Sequence, residues 1–327
     1  MKNKRIVIAG GTGFIGEEMI RYFGKDNYIV ILTRGMRNMP NNRNHFKSLT
    51  ENDLKNVVYV TWNGKTTGDW TTALDGADMI INLAGKTVNC RYTSKNKREI
   101  FDSRMYPVNA IGTAIQQCKN PPSLWINASS ATIYRDAIDR PQDEYTGEIQ
   151  NDFSVQVCKK WEKDFYEQQT PFTRKVALRM AVTLGIGGVL IPYLNLLKFG
   201  LGGKQGSGKQ MYSWIHEEDT CRMIEWIYNH KDLTGTFNCC SPNPVTNNVF
   251  MRTLRKTTGH RFGLPAYECL LHVGAPLIGT PTELVLKSRW VLPAKIVETG
   301  FEFKYPLLDA ALTDIIHKVP RRQYHLF

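Results

Sequence analysis

Residues 5–16 read Arg5-Ile6-Val7-Ile8-Ala9-Gly10-Gly11-Thr12-Gly13-Phe14-Ile15-Gly16. A short β-rich run empties into glycines spaced three apart, and a helical pattern follows over 17–23. G-x-x-G-x-x-G between a strand and a helix is the arrangement that cradles the pyrophosphate of a dinucleotide. Gly10 permits the tight turn, Gly13 lets the backbone approach the phosphates, and Gly16 lets the helix pack on the strand. Thr12, Phe14 and Ile15 complete the loop. The phosphates face the helix N-terminus, where free N–H groups and the helix dipole favour negative charge.

Outward from this loop the first half alternates. Strand patterns fall at 28–32, 57–62, 79–83, 124–128 and 174–179. Helical patterns fall at 94–118, where Pro107 is expected to bend or break the helix, and at 154–168, with Val157, Trp161 and Phe165 on one face. Alternation of this kind implies an α/β fold, a doubly wound parallel sheet of the Rossmann type. After about residue 185 the pattern changes to a Gly-rich stretch at 200–209, a helix at 219–229, a strand at 236–240 and mainly helical sequence to 316. We expect a dinucleotide-binding domain over 1–185, a smaller substrate-side lobe over 186–316 whose strand is a candidate to rejoin the main sheet, and a basic tail over 317–327.

The end of the second strand selects the cofactor. An acid there would bond the ribose 2′-hydroxyl of NAD. This chain has Leu32-Thr33-Arg34, followed by Arg37. A guanidinium at Arg34 suits a 2′-phosphate, so NADP(H) is the expected cofactor; the alternative for Arg34 is a solvated loop arginine. A P-loop look-alike, Gly203 to Gly208-Lys209, is followed by Gln210 instead of Ser or Thr and is rejected.

Composition narrows the remaining classes. The 327 residues carry 42 basic and 30 acidic side chains, a net charge of +12. The basic residues are dispersed, and no RNP, helix-turn-helix or finger pattern accompanies them, so nucleic acid is not expected as a partner. Seven cysteines without a C-x-x-C pair argue against a disulfide framework or zinc site and fit a reducing cytoplasm. His216-Glu217-Glu218-Asp219 lacks the second histidine of H-E-x-x-H, so no metal is expected. No secretory leader or transmembrane run is expected. The oligomeric state stays open between monomer and homodimer, and the small-molecule substrate is unknown.

Three further segments resemble the extended short-chain dehydrogenase/reductase superfamily. These are Asn82-Leu83-Ala84-Gly85, which in that family lines the cofactor, Asn109-x-x-Gly112-Thr113, and Ala128-Ser129-Ser130-Ala131-Thr132-Ile133-Tyr134. Ser103-Arg104, Lys160-Trp161-Glu162, Trp214-Ile215-His216 with Asp219, Phe237-Asn238 with Ser241-Pro242, Leu292-Pro293-x-Lys295 and Gly300-Phe301-x-Phe303 resemble one atypical branch of it. That branch is the epimerase-family proteins with a C-terminal DUF1731 domain, and the resemblance runs from about residue 5 to 316. It implies cofactor contacts at Thr33, Arg34, Leu83, Ala84, Glu99, Arg104 and Thr183. It also implies a problem in catalysis. Extended members use Ser or Thr with a Tyr-x-x-x-Lys pair, the lysine lowering the tyrosine pKa. Alignment on Glu162 puts Ser154 and Cys158 at those two positions. Ser130 keeps the place of the catalytic serine. Tyr134 and His216 are the candidate replacement groups, each with an alternative structural role. Two functions follow: an NADP(H)-dependent oxidoreductase or nucleotide-sugar-epimerase-like enzyme of unknown substrate, or a non-catalytic NADP(H) sensor or interaction module. In either, Ser154 and Cys158 are expected to be dispensable.

Overall fold

The computed structural model describes residues 1–35, 49–268 and 283–325, except for the side chain of Leu284. Arg37 and Cys269 lie outside the described residues. Seven parallel strands form the centre: β1 (Arg5–Ala9), β2 (Tyr28–Thr33), β3 (Val57–Thr61), β4 (Met79–Asn82), β5 (Leu124–Ser130), β6 (Arg174–Met180) and β10 (Gly235–Cys239). Their order is β10-β6-β5-β4-β1-β2-β3. The chain starts in the middle, builds to one edge through β2 and β3, and then returns past β1 to build the other way. The order therefore reverses at β1 and β4, where a doubly wound sheet opens a crevice outside the carboxyl ends of its strands.

Burial on both faces explains the near-continuous apolar strands. Ile6, Ile8, Ile29, Ile31 and Ile81 pack on one face against Met19, Ile20 and Phe23 of α1 (Phe14–Phe23) and Met223, Ile224 and Ile227 of α6 (Glu217–Asn229). Val7, Val30, Leu32 and Ile80 pack on the other against Val108 and Ile111 of α3 (Ser94–Gln117) and Trp161 and Phe165 of α4 (Phe153–Glu167).

Pro107 does not break its helix: α3 runs unbroken over 24 residues. One missing N–H is offset by the burial of Met105, Val108, Ala110 and Ile111 around it. The other expected boundaries move by at most three residues. Four short strands escape the sequence pattern. β7 (Val182–Leu184) pairs in parallel with β9 (Trp214–His216), and β8 (Met211–Tyr212) pairs antiparallel with β11 (Val245–Thr246), all too short for any alternation to register. β10 pairs with β6 as the sheet's edge strand, so the second half of the chain contributes to the first half's sheet. Beyond it, α5 (Leu190–Lys198), α7 (Asn247–Thr258) and α10 (Leu308–His317) enclose a separate core around Leu194, Leu254 and Leu312. The short α8 (Glu283–Leu286) and α9 (Ala294–Glu298) lead into α10. No helix among the described residues is long and apolar enough to cross a membrane.

The glycines of the first turn hold this centre together. Gly10 sits at φ +76°, and a Cβ there would lie 2.9 Å from the backbone of Leu83 and Ala84. A Cβ on Gly16 would lie 2.2 Å from the carbonyl oxygen of Gly11, which no side-chain motion can relieve. Gly16→Val should therefore force α1 off the turn and destabilise the protein by about 1–3 kcal/mol or more, read as a lower Tm in thermal unfolding. A variant melting with the wild type would show that α1 does not depend on this approach.

Candidate functional site

A cavity of about 670 Å³ opens at the carboxyl ends of β1, β2, β3 and β4. The register sets those ends level, with Ala9 opposite Leu32 on one side and Asn82 on the other. Gly10, Thr12 and Gly13 form its floor, Thr33 and Arg34 one wall, Leu83, Ala84 and Gly85 another. Side chains of α3, including Glu99 and Tyr106, close the third. Asn82 fixes the turn at β4: its Nδ2 donates to Asn127 Oδ1 at 2.7 Å, and its Oδ1 accepts from Ala84 N at 3.1 Å. A buried amide pair of this kind holds two strand ends in one register.

Three observations fit a dinucleotide here. A Cβ on Gly13 would meet nothing closer than the Gly10 carbonyl oxygen at 3.7 Å, so the protein itself does not require glycine and the space in front of it is open. Among the described residues no side chain caps α1 at its N-cap, Gly13, which leaves first-turn N–H groups for another acceptor. Thr183 Oγ1 is buried without a hydrogen-bond partner among the described residues, but Thr183 does not line this cavity. Arg34 is exposed, lines the cavity and meets no carboxylate among the described residues.

Other expected contacts are distributed differently. Phe14, Ile15 and Gly16 do not line the cavity. Phe14 turns to the loop after β7, where its ring would lie 3.0 Å from a Cβ on Gly188, and Ile15 packs on the core. Only their backbone remains available to a phosphate. Glu99 pairs with Lys86, which holds its carboxyl below the usual range, and Lys86 also donates to Asn96 Oδ1 at 2.8 Å. Arg104 stands behind Gly85, where a Cβ would come within 3.3 Å of the guanidinium. Its Nη1 donates to the carbonyls of Lys86 (3.1 Å) and Ile100 (3.0 Å), and the guanidinium covers the Trp161 ring at 5.0 Å. It is therefore not a solvated surface arginine. Sequence reasoning missed Trp62, Asn63, Gly64 and Lys65, which continue from β3 into the cavity wall. No local signal marks them, because their place depends on the third strand ending beside the second.

The catalytic candidates separate into two groups. At the end of β5, Ser130 Oγ accepts from Thr132 N (3.3 Å) and Thr132 Oγ1 (3.0 Å), and Thr132 Oγ1 lies 3.5 Å from Cys158 Sγ. Burial pushes the Cys158 thiol up. Ser154 donates to Glu283 Oε1 at 2.8 Å, and Glu283 in turn pairs with Lys287 at 3.0 Å. Tyr134 and His216, by contrast, are locked into the structure. Tyr134 is 1 % exposed. Its hydroxyl accepts from Arg179 Nη1 (2.8 Å) and donates to Asn238 Oδ1 (3.0 Å), and burial pushes its pKa up to about 12. Arg179 is itself forked onto Glu162 at 2.9 and 2.8 Å. His216 caps α6: its Nδ1 accepts from Glu218 N at 3.1 Å, which leaves Nε2 to donate to Asp314 Oδ2 at 3.2 Å. It stacks on Tyr305 at 4.0 Å. Neither side chain lines the cavity. Both are engaged in packing and hydrogen bonds, and Ser130 does not line the cavity either.

The family model for the NAD dependent epimerase/dehydratase family matches residues 6–156, and that for DUF1731, a domain of unknown function, matches 270–315. An epimerase family protein of Staphylococcus saprophyticus is 32% identical over 318 residues, covering 96% of this chain and 100% of the relative. This chain belongs to the epimerase family. Bacillus subtilis YfhF, also named an epimerase family protein, is 31% identical over 95% of this chain and 97% of its own. Among solved structures, a human epimerase family protein with NADPH superposes with a TM-score of 0.80 at 24% identity, covering 96% of this chain and 99% of that one. A UDP-N-acetylglucosamine 4-epimerase of Methanobrevibacter ruminantium superposes with a TM-score of 0.74 at 16% identity, covering 97% and 98%. The epimerase-family fold is thus common to all of them, whatever each acts on.

In this epimerase-family chain the buried cap makes a pH prediction. Burial lowers the His216 pKa from 6.5 to about 4. The unfolded chain takes up the proton first, so the contribution to stability is whole above about 6.5 and is lost as pH falls towards 4. Its upper bound is about 3 kcal/mol. His216→Asn keeps an acceptor for Glu218 N but removes the titration. Urea unfolding should show a flatter fall in stability between pH 6.5 and 4 for the variant than for the wild type. Parallel curves would mean that His216 is not held neutral.

Proposed function

We propose that this epimerase-family protein binds NADP(H) in the cavity over Gly13 and is an oxidoreductase or epimerase-like enzyme that works without a Tyr-x-x-x-Lys pair. The observation that carries the cofactor reading is Arg34, an exposed guanidinium with no carboxylate in contact, at the end of β2 on the wall of a cavity floored by Gly13. The loop Gly10 to Gly13 and the α1 N-terminus would hold the pyrophosphate. Arg34 and Thr33 would hold the adenosine ribose and its 2′-phosphate, and Leu83, Ala84 and Gly85 the remainder. The human epimerase family protein that shares this fold supports the same cofactor, because it was solved with NADPH. A bound nicotinamide supplies hydride exchange at a carbon.

The chain's own groups set what else can happen there. Ser130 Oγ already accepts two bonds from Thr132, so its own proton is free to donate to a substrate oxygen. Ser154 spends its proton on Glu283, and Cys158 brings no positive charge to lower a neighbouring pKa. We take 1–185 as the cofactor-binding domain and 186–316 as the substrate-side lobe. One observation favours the second reading, a non-catalytic NADP(H) sensor. Among the described residues, the positions expected to carry acid–base chemistry hold either weak acids or groups locked into hydrogen bonds. NADPH oxidation against a panel of small carbonyl compounds separates the two, turnover supporting the enzyme and silence the sensor.

Two variants test the cofactor site. Loss of a bidentate charged contact costs about 1.5–3 kcal/mol, so Arg34→Ala should weaken NADP⁺ roughly ten-fold or more in calorimetric titration and leave NAD⁺ nearly unchanged. Equal wild-type affinity for the two cofactors would sink the assignment. Gly13→Val should abolish binding of both, since its side chain fills the open space over the loop, while circular dichroism stays that of the folded protein. A folded variant that still binds would put the nucleotide elsewhere.

A further inference from the structure

We propose that Lys65 is the second cation of a two-point clamp on the adenosine 2′-phosphate, acting opposite Arg34. The proposal rests on the NADP(H) reading above and deepens it. It begins with strand register. β2 and β3 run in parallel with Thr33 opposite Thr61, and Trp62 N donates to Thr33 O at 2.9 Å. Arg34 and Trp62 therefore leave the sheet side by side, on strands about 4.8 Å apart, and both enter the cavity wall.

The chain after Trp62 turns at once, and the turn is pinned. Asn63 Oδ1 accepts from Lys65 N (2.8 Å) and Thr66 N (3.0 Å), and Asn63 Nδ2 donates to Thr66 Oγ1 (2.7 Å). Gly64 takes φ +70°, the left-handed conformation that the turn needs. Trp70 Nε1 then anchors the turn by donating to Thr66 O at 3.0 Å, and Trp70 packs edge-on against Trp62 at 5.2 Å. A lysine on a free loop would lose much of its charge interaction to conformational entropy. Here the backbone that carries Lys65 is held at four points, and its Nζ lies over the Tyr106 ring at 5.4 Å, with both residues lining the cavity.

Charge decides what this pair of cations is for. Lys65 is exposed and, like Arg34, forms no ion pair among the described residues. The stretches 36–48 and 269–282 contain no Asp or Glu, so no side-chain carboxylate from either answers these charges. Of the carboxylates on the cavity, Glu99 is engaged by Lys86, and Asp102 lies one turn before Tyr106 on α3. A phosphate monoester carries about −1.5 to −2 near neutral pH. Arg34 alone would neutralise about half of it. Arg34 supplies a planar fork from the β2 side, and Lys65 supplies a compact point charge from the β3 side. The two strand ends thus share the discrimination between NADP(H) and NAD(H).

The test uses the full chain and four probes, NADP⁺, NAD⁺, 2′,5′-ADP and 5′-ADP, titrated by calorimetry. Lys65→Met keeps an aliphatic stem on Tyr106 and removes the charge. It should weaken NADP⁺ and 2′,5′-ADP about five-fold or more and change NAD⁺ and 5′-ADP by less than about two-fold. Arg34→Ala with Lys65→Met should bind NADP⁺ and NAD⁺ alike. Because Lys65 is exposed, the variant should melt with the wild type, which separates lost contact from lost fold. Equal weakening of all four probes would place Lys65 at the adenine or pyrophosphate and overturn the clamp. Unchanged NADP⁺ affinity in Lys65→Met would overturn it too, while leaving wild-type NADP⁺ binding and the Arg34 assignment standing. A wild type that binds neither dinucleotide would instead overturn the cofactor reading on which the clamp depends.

Discussion

The approach of α1 to the turn after β1 is the constraint on which the rest of the molecule depends. At Gly16 the helix lies so near Gly11 that a single methyl group would overlap backbone, and at Gly10 a Cβ would come within 2.9 Å of the start of the loop after β4. These two contacts set the distance between the first helix and the sheet and the distance between two neighbouring strand exits. The cavity exists between them. Gly13, midway along the same turn, is under no such pressure from the protein. Three glycines that look alike in sequence therefore answer two different demands, two of them imposed by packing and one left open toward whatever occupies the cavity.

A second layer of order comes from buried polar pairs that tie the two halves of the chain together. Glu162 of α4 receives Ser129 Oγ at 2.6 Å and the forked guanidinium of Arg179, and Arg179 reaches Tyr134, whose hydroxyl bonds Asn238 of β10. Asn238 also donates to Leu292 O at 2.9 Å, in the segment that precedes α9. Groups buried this deeply must be fully bonded, because each unmet bond costs about 1–3 kcal/mol. The network fixes where the C-terminal elements dock against the sheet. It also consumes side chains that would otherwise qualify as acids or bases.

The start of α4 shows what this architecture leaves for chemistry. There Ser154 is bonded to Glu283 and Cys158 is a buried thiol. At the end of β5 the hydroxyl of Ser130 accepts a bond from Thr132. The cavity is defined by the ends of β1, β2, β3 and β4. Of the chain after Gly185, α6 and β10 join the main sheet and its core, while α5, α7 and α10 pack around a core of their own.

The sequence by itself determined the doubly wound sheet, the phosphate loop and the position of Arg34. Each of these is written in local signals: alternation between apolar strands and amphipathic helices, glycine spacing, and the residue type at a strand end. The resemblance to the extended short-chain family, carried by the same residues, is what puts Ser154 and Cys158 where a Tyr-x-x-x-Lys pair is expected. Only the tertiary structure decided that Pro107 sits inside an unbroken helix, because burial along α3 outweighs one lost hydrogen bond. Only the tertiary structure withdrew Tyr134 and His216 from the cavity. Their partners, Asn238 and Asp314, lie 104 and 98 residues away in the chain, and no local pattern reports such a bond. The wall formed by Trp62, Asn63, Gly64 and Lys65 lies between these cases. Its residues are contiguous in sequence, but their role follows from β3 lying beside β2, a pairing made by hydrogen bonds between strands and not by anything within either one.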